Sequence, residues 1–171
     1  VATIEGKTWD VAEGATPGTT EECLNDFAGW HEDVQTMIKR SPRLIKWALM
    51  QRDPIPRWTQ GRISLLGDAA HATLPFLAQG AVMSIEDGVI LGRCLDAYAD
   101  PVVALKKYED ARVERTSKMV RGAKENTARF HESALATEEG AVKYMESEWS
   151  RDPIRERYDW LYRYNVETVP V

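Results

Sequence analysis

The residue types best suited to chemistry fall in one run, residues 61–88. There a short apolar stretch containing Ile63, Leu65 and Leu66 ends at Gly67-Asp68, followed by Ala69-Ala70-His71, Pro75 and Gln79-Gly80-Ala81-Val82. This reads as a strand, a sharp turn, a loop and a helix start, and in α/β proteins ligands lie just beyond the carboxyl end of such a strand. Gly67 lets a ligand approach the backbone closely, and Asp68 can accept hydrogen bonds from sugar-like hydroxyls. Gly80, Ala81 and Val82 form a side-chain-poor helix start whose free N–H groups and positive dipole end suit an anion. His71 reads as a structural histidine satisfied by loop backbone rather than as a base paired with Asp68. Glu86 and Asp87 are adjacent, so they point about 100° apart on a helix and read as structural hydrogen-bonding groups, not as an acid/base pair.

Other chemistries find no support. His31, His71 and His131 are far apart and fit no metal-ligand spacing. No GxSxG surrounds Ser64 or Ser84, and no GxxxxGK[ST] phosphate loop occurs, which removes the hydrolase and nucleotide-triphosphatase classes. With 22 Lys+Arg against 27 Asp+Glu the net charge is −5, which opposes attraction to a phosphate backbone, so no nucleic-acid partner is expected. The basic series Lys106, Lys107, Arg112, Arg115, Lys118, Arg121 and Lys124 is interleaved with Glu109, Asp110, Glu114 and Glu125, the pattern of a solvated, salt-bridged helix.

The elements that must position these residues follow from periodicity and punctuation. The 171 residues, 43% hydrophobic and 29% charged, have a soluble globular composition with enough length for a core. Residues 1–20 contain one short β-like stretch and then Glu13-Gly14-Ala15-Thr16-Pro17-Gly18, a loop-forming run. Thr19 or Thr20 before Glu21-Glu22 signals a helix over residues 20–40, interrupted at Gly29 and stopped at Ser41-Pro42. Residues 44–50 read as a strand closed by Asp53-Pro54-Ile55-Pro56, and residues 63–66 as a buried-type strand. From Gly80 to Tyr98 a helix is apolar almost all round, which implies burial on more than one side. Asp100-Pro101 separates it from a longer, more exposed helix over residues 102–130. One or two further helices, around residues 137–149 and 153–163, precede an irregular tail. Trp47, Met50 and Trp58 suit core packing at least as well as a substrate pocket.

Cys23 and Cys94 lie far apart in neither a CxxC nor a disulfide-dense pattern, and the apolar runs are shorter than the roughly 20 residues of a membrane helix. A cytoplasmic protein without membrane association is expected. The start at Val1, without Met and without signal-peptide character, suggests a fragment.

The run GDAAH (residues 67–71), the downstream Pro75, the QGA of residues 79–81 and the hydrophobic-Glu-Asp of residues 85–87 together resemble the second FAD-binding motif of the class A flavoprotein aromatic hydroxylases, the salicylate hydroxylase-like FAD-dependent monooxygenases. Leu105, Tyr108, Glu109, Arg112 and Arg115 are similar to the LxxYExxRxxR helix that follows this motif in the same family, and the lead-in Asp53-Pro54-Ile55-Pro56-Arg57-Trp58 also matches. The resemblance implies an α/β fold class, α+β within this chain. It would be the C-terminal part of the FAD/NAD(P)-binding three-layer fold, with part of the substrate-domain sheet and a helical tail. The implied division is residues 1–58 for the substrate-binding domain, 59–133 for the FAD-binding strand, loop and helices, and 134–171 for the tail.

It also implies FAD as cofactor, NADH or NADPH as electron donor, and O2 and a small phenolic or hydroxylated aromatic acid as substrates, the oxygen passing through a flavin C4a-hydroperoxide. Asp68 would bind the ribityl chain, with Gly67 at the turn. Gly80, Ala81 and Val82 would face the flavin pyrimidine ring, and Pro75 would line the ring face. The family's GxGxxG does not occur here, nor does its separate Asp-Gly motif, since the one Asp-Gly pair, Asp87-Gly88, falls inside the run already matched; within that run Ala78 and Gly88 replace the commoner Gly and Ala. The partners expected are therefore the missing N-terminal FAD-binding portion and, as an assembly, a homodimer; the isolated chain is expected to be inactive and to hold FAD weakly. An epoxidase or reductase of the same fold, or an interaction module without activity, are the alternative readings.

Overall fold

The computed structural model describes residue 3 and residues 14–171, which form two compact units divided between Leu49 and Met50. The β-like stretch expected before residue 13 lies outside the described residues. The architecture is mostly helical with two small antiparallel sheets. The parallel sheet of an α/β class is not seen among the described residues.

In the first unit, β1 (Ala15–Gly18) pairs antiparallel with β2 (Leu44–Trp47), Ala15 opposite Trp47. β1 falls in the run read as a loop; its Pro17 and two flanking small residues depress local strand propensity, and the ladder with β2, distant in sequence, overrides it. Thr19 is the N-cap of α1 (Thr20–Asp26): its side chain accepts from the Glu22 N–H at 3.1 Å while Glu22 accepts from the Thr19 N–H at 2.9 Å. The expected helix breaks at Gly29, whose φ of 79° suits only glycine well, and resumes as α2 (Glu32–Arg40). β2 is shorter than the strand read from sequence, and Trp47 is 66% exposed rather than packed in a core.

The second unit is built on two helices. α4 (Gly80–Ala97) follows the expected span, and α5 (Pro101–Phe130) packs along it, with Asp100 accepting from the Val102 N–H at 2.9 Å as its N-cap. Before them come the two-residue strands β3 (Thr59–Gln60) and β4 (Ile63–Ser64), joined as a tight hairpin, and the one-turn helix α3 (Asp68–His71). The strand expected to be buried over 63–66 is largely exposed, Ile63 at 73%, because no parallel neighbour stands beside it among the described residues.

The core gathers Trp58, Ala70, Ile90, Cys94, Ala104 and Tyr108, with Val166, Val169 and Val171 of the irregular tail packed against it. A smaller cluster joins Met83, Met119 and Leu161, the last from α7 (Arg151–Tyr162), which follows α6 (Glu138–Glu148). Trp58 is thus a core residue as expected, whereas Met50 is 64% exposed. The tail is strapped on by Arg93, whose Nη1 and Nη2 donate to the Val166 and Val169 carbonyls at 2.7 and 2.8 Å. Burial pushes the Cys94 thiol up, keeping it an apolar core group. No helix among the described residues is long and apolar enough to cross a membrane.

Candidate functional site

α4 explains its own unusual composition. Its buried positions Met83, Glu86, Asp87, Ile90 and Cys94 recur at i, i+3, i+4, i+7 and i+11, one helical face. That face carries two carboxylates, while Val82, Ile85 (68% exposed) and Val89 line the outward side. The helix is thus apolar on its outward side as well as along much of its buried face, so the outward side has work beyond solubility.

The buried carboxylates are matched by α5. Asp87, with no exposed surface, accepts from Arg112 Nε at 2.7 Å on Oδ1; Oδ2 takes the Gly67 N–H at 3.1 Å and bonds His71 Nε2 at 2.6 Å. Arg112, also fully buried, reaches Glu86 at 2.8 Å, the Met83 carbonyl at 3.3 Å and the Tyr164 hydroxyl at 3.3 Å. Arg115 grips Glu86 with two bonds of 2.9 and 2.7 Å and lies over the Tyr164 ring, 3.6 Å from its centroid. Two carboxylates and two guanidinium groups balance. Each ion loses several kcal/mol of hydration, which only this dense bonding offsets.

Two sequence readings are corrected here. His71 is structural, but its partner is the Asp87 carboxylate and not loop backbone, and its Nδ1 has no hydrogen-bond partner among the described residues. The long helix is not a simple solvated face, since Tyr108, Glu109, Arg112 and Thr116 are all buried along it. Spacing held the signal: residues 105, 108, 109, 112, 115 and 116 share one helical face, so the LxxYExxRxxR pattern is a core pattern written partly in charges. Its Glu109 accepts from the Trp58 and Thr59 N–H groups at 2.6 Å each and from Lys106 at 2.6 Å, while Tyr108 donates to the Leu65 carbonyl at 3.3 Å. Both residues thereby fix the segment leading to Gly67.

Burial raises Asp87 and Glu109, but the bonds from His71, Arg112 and Gly67 to the first, and from Lys106, Trp58 and Thr59 to the second, outweigh it and hold both below the ordinary carboxylate range. Groups with depressed folded values contribute stability that is full above the unfolded values, about 3.9 for Asp and 4.3 for Glu, and lost as pH falls through the lower folded ones. Urea midpoints are therefore expected to be steady from pH 7 to about 5 and to fall below about pH 4, with Asp87→Asn flattening the acid limb.

The six residues singled out by sequence occupy one end of this framework. Gly67 is buried at φ 62° and ψ −141°, and a Cβ there would meet Ser84 Oγ at 2.9 Å, so the turn abuts the first turns of α4 with room for hydrogen only. Asp68 begins α3, is exposed, and its carboxylate has no hydrogen-bond or ion-pair partner among the described residues. Gly80, Ala81 and Val82 are the first turn of α4, with no side chain capping it, which leaves N–H groups and the positive dipole end available. Gly80 sits beside Thr73, 3.7 Å from where its Cβ would stand. Pro75 is exposed at the head of a 3-10 turn, Pro75–Leu77, anchored on α5 where Asn126 Nδ2 donates to the Phe76 carbonyl at 3.1 Å. The framework thus brings Gly67 against the start of α4 and presents Asp68 unpaired, an arrangement that can accept from ligand hydroxyls and donate backbone N–H groups to an electron-rich edge.

A model of the FAD binding domain family matches residues 7–123. The chain is 36% identical over 173 residues to 6-hydroxynicotinate 3-monooxygenase of Bordetella bronchiseptica, spanning 100% of this chain and 39% of that protein. The enzyme of the same name from Pseudomonas fluorescens is 41% identical over 165 residues, 95% of this chain and 37% of that one. Among solved structures, a salicylate hydroxylase substrate complex superposes with a TM-score of 0.75 at 27% identity, covering 95% of this chain and 39% of that one. A Klebsiella pneumoniae protein complexed with FAD and uric acid gives 0.65 at 29% identity, over 81% of this chain and 35% of that one. The chain thus spans about two fifths of the length of the relatives it matches. With more than half of its residues matched by that family's model and relatives at 36 and 41% identity, the chain belongs to the FAD binding domain family, that of the flavoprotein aromatic monooxygenases.

Proposed function

We propose that this chain is the flavin-ring side of an FAD-dependent monooxygenase acting on a small phenolic or hydroxylated aromatic acid. The observation that carries the reading is an exposed Asp68, without a hydrogen-bond or ion-pair partner among the described residues, in a turn held by the buried Asp87–Arg112 pair. The residues fit FAD: Asp68 would supply acceptors for ribityl hydroxyls, Gly67 lets its turn sit against Ser84 near the start of α4, and the first turn of α4 would offer N–H groups and a positive dipole end to the pyrimidine edge. When bound, FAD supplies the redox chemistry, taking a hydride from NADH or NADPH and activating O2. The chain's own residues would orient that ring, favour negative charge at the pyrimidine edge through the α4 dipole, and set the stiff Pro75 against the ring face.

Two of the names reported above, 6-hydroxynicotinate and salicylate, each denote an aromatic ring bearing a hydroxyl and a carboxylate, which supports that substrate class here. The outward apolar side of α4, Val82, Ile85 and Val89, and the exposed Ile63 and Leu66 are the surfaces we assign to an N-terminal FAD-binding portion of the same enzyme. The test is NADH and NADPH oxidation by the full-length protein against a panel of hydroxylated benzoates and nicotinates. Faster oxidation with hydroxylated product from at least one acid is expected; bound FAD without aromatic-dependent oxidation contradicts the reading.

A further inference from the structure

We propose that Asp87, His71 and Arg112 are positioning residues of the cofactor site, acting on FAD through the Gly67-Asp68 turn, and that Tyr164 of the C-terminal tail belongs to the same device. The inference rests on the reading of Asp68 as a flavin ligand. Asp87 touches no surface, yet one of its oxygens holds the Gly67 N–H and the His71 imidazole together. These two groups bracket α3, so the carboxylate fixes both ends of the one-turn helix whose first residue is Asp68. Gly67 could swing widely in isolation because it has no side chain; the bond to Asp87 selects one backbone conformation and with it the direction of the Asp68 side chain.

The other oxygen of Asp87 is held by Arg112, whose guanidinium also reaches Tyr164. A continuous series of bonds therefore runs from the tail through Tyr164, Arg112 and Asp87 to Gly67. Apolar residues of the same volume would fill this interior at equal or lower cost, because buried ions recover their hydration only through near-complete bonding. What apolar packing cannot do is fix the direction of a glycine N–H. The network starts at Tyr164 in the tail, crosses the α4–α5 pair through Arg112 and Asp87, and ends in the turn that presents Asp68.

The experiment uses full-length protein and FAD itself as probe, reading the dissociation constant by flavin fluorescence on adding apoprotein and the visible circular dichroism of the bound flavin. Asp68→Ala tests the underlying reading. Asp87→Asn is expected to weaken FAD about tenfold, the loss of a charged partner, and to alter the flavin dichroism. Because Asp87 acts through Asp68, the double variant D68A/D87N should bind no more weakly than D68A alone within about twofold. His71→Gln keeps an N–H that can donate to Asp87 and should bind FAD as the parent does, whereas His71→Ala should resemble D87N. Tyr164→Phe, which removes one hydroxyl and keeps the ring under Arg115, should change the flavin dichroism with little change in affinity, and H71A serves if D87N does not fold.

If D68A weakens FAD while a folded D87N and H71A bind it as the parent does, the positioning role is wrong although the flavin reading stands. Independent, multiplying effects of D68A and D87N also overturn it, since they make Asp87 merely structural. An unchanged dissociation constant in D68A removes the flavin reading and this inference with it.

Discussion

Replacing Arg112 by alanine is expected to cost about 3–5 kcal/mol of folding stability, the range for removing one partner of a buried ion pair. The side chain has no exposed surface and serves Asp87, Glu86, the Met83 carbonyl and the Tyr164 hydroxyl. Alanine leaves Asp87 with His71 and Gly67 as its remaining partners and a cavity that water enters with difficulty. Glu86 keeps its bidentate grip on Arg115, so the damage falls chiefly on Asp87. At about 2–4 °C per kcal/mol for a chain of this size, thermal unfolding should drop by roughly 10 °C. A loss under about 1 kcal/mol means that the Arg112–Asp87 pair contributes little and that packing alone holds α4 to α5. Arg112→Lys should recover only part of the loss, because an ammonium cannot bridge two carboxylates and a carbonyl in one plane.

Asp68→Ala should behave in the opposite way. Its carboxylate is exposed and unpartnered among the described residues, so folding stability should move by no more than about 0.5 kcal/mol. FAD binding should weaken by about 1.5–3 kcal/mol, roughly tenfold to a hundredfold, the value of hydrogen bonds to a charged acceptor. The contrast separates two roles within one motif: Arg112 maintains the frame, and Asp68 is what the frame presents.

Much of that frame is legible in the sequence because it rests on local signals. Asp100-Pro101 marks the start of α5 by a side-chain cap and a missing N–H, Gly29 breaks a helix where φ turns positive, and Thr19 with Glu22 closes a capping box. The turn at Gly67, the free Asp68 and the bare start of α4 are visible for the same reason, each depending on its own residue type. What escapes depends on partners distant in the chain. β1 exists because β2, nearly thirty residues on, supplies its hydrogen bonds. The burial of Arg112 and Arg115 follows from Glu86 and Asp87 on the facing helix, and a charge at helical spacing looks the same whether it meets water or a carboxylate. His71 escapes similarly: a loop histidine offers no local sign that its partner lies 16 positions away. The exposure of Ile63 reverses an expectation for a related reason, since an apolar run shows that a strand needs cover but not which residues provide it.

FAD titration of full-length apoprotein in parent and Asp68→Ala forms decides whether the turn at residues 67–68 holds the flavin. The dissociation constant should rise roughly tenfold to a hundredfold in the variant, with matching urea unfolding curves for the two apoproteins. Equal affinity for FAD in two equally folded proteins would contradict it.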